Sequence, residues 1–267
     1  WRRLWPNHPW RLPETGTMSS IKRISTRRLT HWHQQLFQPK NLVIAVVGGI
    51  ESEAVFDSVQ AWTDKLPTTD HELAKRPTPD EPQRGSARFH AGREQAWILF
   101  GARGFHSPPP DKHALELAAA ILGSQGGRLF LDLREAKGLA YLVWATAMDG
   151  VDGGLFCAGL ATEPRREKEA RLALAESLHH LAANKPSIEE LDRARRMLVG
   201  QAAMGLQRCA GRAASVAFAE RLGLRWGIEP YRQALNKVEP AQVSQVLNDV
   251  LEGGTVEIVV VPKVHKG

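Results

Sequence analysis

In the stretch Gly127-Arg-Leu-Phe-Leu-Asp-Leu-Arg-Glu-Ala-Lys-Gly-Leu-Ala-Tyr141, an arginine and a tyrosine, Arg134 and Tyr141, stand seven residues apart. A guanidinium and a phenol keep their protons at neutral pH, so both are standing hydrogen-bond donors. Converging on one point, they could polarise a carbonyl or hold a peptide backbone. Seven residues would be two turns of a continued helix, but Gly138 is placed to turn the chain sooner. The plainer alternative is that Arg134 pairs with a neighbouring carboxylate and Tyr141 simply opens a strand.

Other catalytic constellations are missing. Neither His-x-x-Glu-His nor its inverted form occurs. His31-Trp-His33 and His179-His180 are two apart or adjacent, spacings that do not share a helical face, so no metal ligands are assigned. There is no nucleophile elbow, and Gly123-Ser-Gln-Gly-Gly-Arg128 lacks the Lys-Ser/Thr that a phosphate loop needs. Cys157 and Cys209 lack metal-ligand spacing and are too few for a disulfide scaffold. They read as ordinary thiols, with a single bridge between them left open.

The elements that must position Arg134 and Tyr141 follow from periodicity. Leu29, Trp32, Leu36 and Phe37 recur at helical spacing behind Ser25 or Thr26, hydroxyls able to cap free amides. Leu42-Val-Ile-Ala-Val-Val47 reads as a short buried strand, and Ser52 opens a further helix whose apolar spacing runs through Leu66. Prolines and charges from about Pro67 to Gly85 read as a linker. Beyond it come a buried strand at Ala96–Phe100, a turn at Ser107–Pro110 and a helix capped by Asp111. A short helix through Leu133, strands at Tyr141–Met148 and Leu155–Ala161 around a glycine-rich turn, and a helix over 164–183 follow. Ser187 with Glu190 forms a capping box for a long helix to about Leu222, with bends expected near Gly200, Gly205 or Gly211. One or two helices and a strand at Thr255–Val261 close the chain. Adjacent strands followed by long helices predict an α+β fold, a two-layer sandwich of a mainly antiparallel sheet covered on one face by helices.

The chain has 267 residues, 43% hydrophobic and 24% charged, which sets collagen-like, coiled-coil and disordered classes aside. No apolar run approaches the roughly 20 residues of a membrane span. The formal charge of +6 could suit nucleic acid, but the bases are interleaved with acids, as in Glu189, Glu190, Asp192, Arg193 and Arg195. Such runs are solvated helix faces, and no nucleic-acid partner is expected. The opening Trp1-Arg-Arg-Leu-Trp-Pro has neither an initiator Met nor a signal pattern and reads as a piece of a longer protein.

The Arg-Leu-Phe and Leu-Arg-Glu-x-Lys-Gly-Leu-Ala-Tyr string ending at Tyr141 resembles the arginine-tyrosine motif of the pitrilysin/insulinase family of zinc metallopeptidases. That family includes mitochondrial processing peptidase and the core subunits of the respiratory bc1 complex. His8-Pro9-Trp10, Gly16-Thr17 and Leu42–Gly49 resemble the end of its first structural domain. The strand at Gln95–Ile98 and the segment Pro108–Lys112 resemble the start of its second. The resemblance thus implies a C-terminal remnant of one peptidase-like domain at 1–70, a linker at 71–87 and a complete second domain at 88–267. It implies Arg134 and Tyr141 as substrate-binding residues that grip a peptide in a closed chamber. The zinc motif of the family lies before the His8-Pro9 landmark, so zinc is expected in the parent or partner half and none on this chain, which alone should be inactive. The expected partners are a peptide substrate and a zinc-bearing N-terminal half or subunit, in a homo- or heterodimer. The alternative is a non-catalytic scaffold half. The Gly123–Gly127 loop corresponds in position to a glycine-rich substrate loop of some relatives but is short. The compartment stays open among bacterial cytoplasm, periplasm and an organelle matrix.

Overall fold

The computed structural model describes residues 1–68, 77–78, 80–104, 111–150 and 153–263. Two compact units emerge, one built from residues 1–11, 79–202 and 227–267 and the other from 12–78 and 203–226. The expected turn at 107–110 and residues 71–76 and 79 of the expected linker lie outside the described residues.

The larger unit is organised on a five-stranded sheet with the order β1-β5-β2-β4-β3. Its strands are β1 (Gly85–Ala91), β2 (Ala96–Gly104), β3 (Leu142–Met148), β4 (Gly154–Thr162) and β5 (Thr255–Pro262). All neighbours are antiparallel except β1 and β5. The strand β1 was not legible in the sequence, because Arg88 and His90 interrupt the apolar pattern.

Helices α4 (Lys112–Gly123), α5 (Glu167–Ala183), α6 (Ile188–Gly205), α8 (Ile228–Asn236) and α9 (Pro240–Glu252) belong wholly or largely to this unit. The middle of α4 is Ala-Leu-Glu-Leu-Ala-Ala-Ala-Ile-Leu, buried almost all round because small alanines admit close neighbours. The core joins Leu117 and Leu122 of α4, Leu174 and Leu178 of α5, and Val243 and Leu247 of α9 to Ile98, Phe156 and Leu160 of the sheet. The α+β class and the mainly antiparallel sheet under helices therefore agree with expectation, the β1–β5 pair being the parallel one.

In the smaller unit, α1 (Met18–Ile21), α2 (Thr26–Leu36) and α3 (Ser52–Thr63) precede α7 (Cys209–Leu222). Ser25 caps α2 through its Oγ, which accepts from the Arg28 N–H at 3.4 Å. The expected buried strand at Leu42–Val47 is not formed: it pairs with no strand among the described residues, and Val43, Ile44 and Val46 are exposed. An apolar run becomes a buried strand only when neighbours take up its backbone groups and cover its faces. The predicted long helix to Leu222 breaks after Gly205. Any Cβ on Gly211 would overlap the Gly205 carbonyl, so the start of α7 folds back tightly on the end of α6. Asp111 sits at the N-cap of α4 but makes no side-chain capping bond.

Candidate functional site

Arg134 lies in a single stretch of π-helix, Phe130–Ala136, entered through the glycine-rich loop that ends α4. The entry is tight: a Cβ on Gly123 would overlap the backbone of Ala145 in β3. Arg128, at the start of this stretch, forks onto Glu190 of α6. Its Nε and Nη2 donate to the two carboxylate oxygens at 2.7 and 2.9 Å. Glu190 also accepts from the Ser187 N–H at 2.9 Å while Ser187 Oγ accepts from the Glu190 N–H at 3.2 Å, completing the predicted capping box. Donation by Arg128 holds the Glu190 carboxyl down at about 2, well below the ordinary 4.5.

The far end of the π turn is fixed as firmly. The N–H of Leu139 donates to Leu133 O at 2.7 Å, closing the turn around Gly138, whose φ of 55° favours glycine. Buried Thr162 donates its hydroxyl to Leu139 O at 2.6 Å, and Arg166 Nη1 donates to Gly138 O at 2.9 Å. The chain then reaches Tyr141, whose N–H donates to Ala161 O at 2.9 Å immediately before β3. In the strand order β3 is an edge of the sheet. Gly138 thus does turn the chain before a second helical turn.

Both candidate side chains point to solvent. Arg134 is 47% exposed; its guanidinium lies over the Phe130 ring, 5.0 Å from the centroid, with Glu135 at 3.9 Å. Among the described residues it donates no hydrogen bond. Tyr141 is 53% exposed and donates its hydroxyl to Glu163 at 3.1 Å. Hydrogen bonding to Glu163 raises the phenol above its ordinary value, so it remains a donor. No hydrogen bond joins Arg134 to Tyr141. The local carboxylate and the strand start of the plainer alternative are therefore both present, together with two exposed donors on one clamped turn.

The clamps themselves escaped sequence reasoning. Glu190 was recognisable as a helix cap, but nothing in the sequence signals a partner 62 residues away, and Thr162, Glu163 and Arg166 carried no motif.

Among the described residues no group of three or more His, Cys, Asp or Glu could hold a metal ion. His33 instead stacks on Phe37 at 4.4 Å, and His180 Nδ1 meets Arg128 Nη1 at 3.3 Å. These donor sets do not fit zinc. Both cysteines are free thiols, and burial pushes Cys157 up to about 11.

A mixed five-stranded sheet under helices, with an arginine and a tyrosine exposed beside its β3 edge, places the chain among α+β domains. The chain belongs to the M16 peptidase family, matching the model described as "Peptidase M16 inactive domain" over residues 23–198. It is 26% identical over 256 residues to an uncharacterized zinc protease of Streptomyces coelicolor, covering 90% of this chain and 54% of that protein. An uncharacterized zinc protease of Mycobacterium leprae is 25% identical over 93% of this chain and 57% of its own length. The chain thus spans little more than half of these relatives. The fold is shared with the crystal structure of a peptidase M16 inactive domain from Pseudomonas fluorescens, at 24% identity and a TM-score of 0.88 over 100% of this chain and 65% of that one. It is also shared with a chain of Complex III2 from Candida albicans, at 15% identity and a TM-score of 0.84 over 97% of this chain and 64% of that one.

Proposed function

We propose that this chain is the C-terminal part of a zinc-dependent endopeptidase, which contributes Arg134 and Tyr141 to gripping the substrate backbone inside a closed chamber. Residues 1–70 would finish a first peptidase-like domain, 71–87 would link, and 88–267 would form the second. Zinc would be held by a preceding half of the same chain or by a partner subunit. The observation that supports the role most directly is that both donors are exposed on one turn pinned at each end, by Arg128–Glu190 and by Thr162 with Arg166. A rigid support is what substrate-positioning groups need, because misplacement by about 1 Å is costly. Arg134 would donate to a carbonyl of the bound peptide. Tyr141 would exchange its Glu163 acceptor for another.

The test is Arg134→Ala and Tyr141→Phe in the full-length parent, scored by cleavage of an unstructured peptide. Each should lower kcat/KM by about 10-fold or more, equivalent to about 1.4 kcal/mol of transition-state binding. Unchanged cleavage by both would remove the assigned role.

The second reading, a non-catalytic scaffold half, draws support from the fold shared with a chain of Complex III2, a multi-subunit assembly. A parent and neighbouring subunit that both lack His-x-x-Glu-His would decide for it.

A further inference from the structure

Arg134 stands where the helix after the glycine-rich loop changes its turn. The N–H of Leu131 donates to Gly127 O at 3.0 Å, four residues back, whereas the N–H of Lys137 donates to Asp132 O at 3.0 Å, five residues back. Between them runs the π-helix Phe130–Ala136. Single wide turns of this kind are rare and concentrate at functional sites.

The side chains repeat the five-residue spacing. Lys137 Nζ donates to Asp132 Oδ2 at 2.9 Å, so the same two residues are joined twice, through the backbone and through an ion pair. In an α-helix residues five apart point about 140° away from each other, and the side chains that meet are three or four apart. The ion pair therefore favours the wide register over the narrow one. Burial favours it as well. Leu129 and Leu133 are fully buried four residues apart, and Lys137 stands four further on. An α turn would continue that row and carry the Lys137 ammonium toward the core; here Lys137 is exposed and Leu139 takes the next buried place.

Arg134 lies inside the span that the pair closes. Its side-chain contacts, the Phe130 ring at 5.0 Å and Glu135 at 3.9 Å, belong to the same turn. Among the described residues no group outside that turn holds the guanidinium, so the backbone register decides its direction. A slip of one residue would swing it by about 100°.

We propose that Asp132 and Lys137 are positioning residues, whose ion pair holds the turn in the π register and thereby aims Arg134 at the bound peptide. The two side chains are 43% and 42% exposed, so the pair adds little to overall stability. A small preference suffices where two registers of one turn compete, because it acts directly on their populations. The inference rests on the reading that Arg134 grips the substrate, and adds the residues that aim it.

The test moves the lysine instead of removing it. Ala136→Lys with Lys137→Ala keeps charge and composition but sets the cation four residues from Asp132, the α spacing. In the full-length parent this double variant and Asp132→Asn should each lower kcat/KM for an unstructured peptide by about threefold or more. Lys137→Arg keeps a cation at the fifth position and should stay within about twofold of wild type. In an Arg134→Ala background the relocated lysine should change cleavage by less than about 1.5-fold, because the residue it aims is gone. Hydrogen exchange over 130–139 should quicken in the relocated variant, with the thermal midpoint within about 2 °C of wild type. Undiminished cleavage by both variants, or an equal loss with and without Arg134, would overturn the inference. Arg134→Ala alone reports the gripping role: if it lowers cleavage while the relocated lysine and Asp132→Asn do not, the register lock alone is wrong.

Discussion

Replacing Glu190 by Gln removes a charge that ties α6 to the turn bearing Arg134. In the folded chain the carboxyl titrates at about 2 rather than 4.5. At about 1.36 kcal/mol per pK unit, that difference is worth about 3 kcal/mol. The Arg128 and Glu190 side chains are 21% and 22% exposed, so screening by solvent lowers a realistic figure to about 2 kcal/mol. The sign follows from the direction of the shift. A depressed carboxyl contributes fully above its unfolded value and loses the contribution as pH falls from about 4.5 toward 2. Glu190→Gln should therefore lower the thermal midpoint of the sheet-bearing unit by about 4–8 °C at pH 7, with the gap to wild type shrinking below about 2 °C near pH 2.5. Near-UV circular dichroism is the assay, because Trp97 and Trp144 sit on that sheet. Hydrogen exchange should speed up over 128–139 in the same variant. A deficit of the same size at both pH values would refute the electrostatic reasoning, since amide packing alone carries no such pH dependence.

Glu163→Gln should return the Tyr141 phenol toward its ordinary value; the chain has two tyrosines, so spectrophotometric titration in a Tyr231→Phe background reports Tyr141 alone. Gly153→Val would drive a side chain into the Trp5 indole; about 1–3 kcal/mol of stability should be lost, with red-shifted tryptophan emission as residues 1–11 lift. Cys209 is exposed whereas Cys157 is held at about 11 by burial, so iodoacetamide at pH 7.5 should alkylate Cys209 at least 100-fold faster, and equal rates would mean that Cys157 is not desolvated. After dialysis against zinc, elemental analysis of the chain should find less than one tightly bound zinc per molecule.

Elements with local causes were legible in the sequence. The Ser187–Glu190 box, the break at Gly123 and the paired strands around the glycine-rich turn each depend on residues within a few positions of one another. Arg134 and Tyr141 could be singled out for the same reason. Their support could not, because the Arg128–Glu190 fork and the Thr162–Leu139 bond join residues 62 and 23 apart. The strand β1 was hidden by Arg88, whose charge is answered by Glu167 at 2.6 Å on α5. A pattern rule sees an interrupted strand where the fold sees a salt bridge.

The misread segment Leu42–Val47 and the apolar second face of the sheet share one physical cause. Hydrophobicity written into a strand states a demand for cover, and the cover is supplied elsewhere. For Ile98 and Leu160 the helices α4, α5 and α9 meet it. For Val256 and Leu155 the strap Trp1–Arg11 does. For Val43, Ile44, Val46 and Phe89 no described residue does, and each remains exposed. Such positions cost about 25 cal/mol for every Å² of apolar surface left in water, so they single out where this chain gains most from a partner. By that measure the unpaired run Leu42–Val47 calls for strands able to take up its backbone, whereas the sheet around Phe89, its backbone already paired, calls only for side chains.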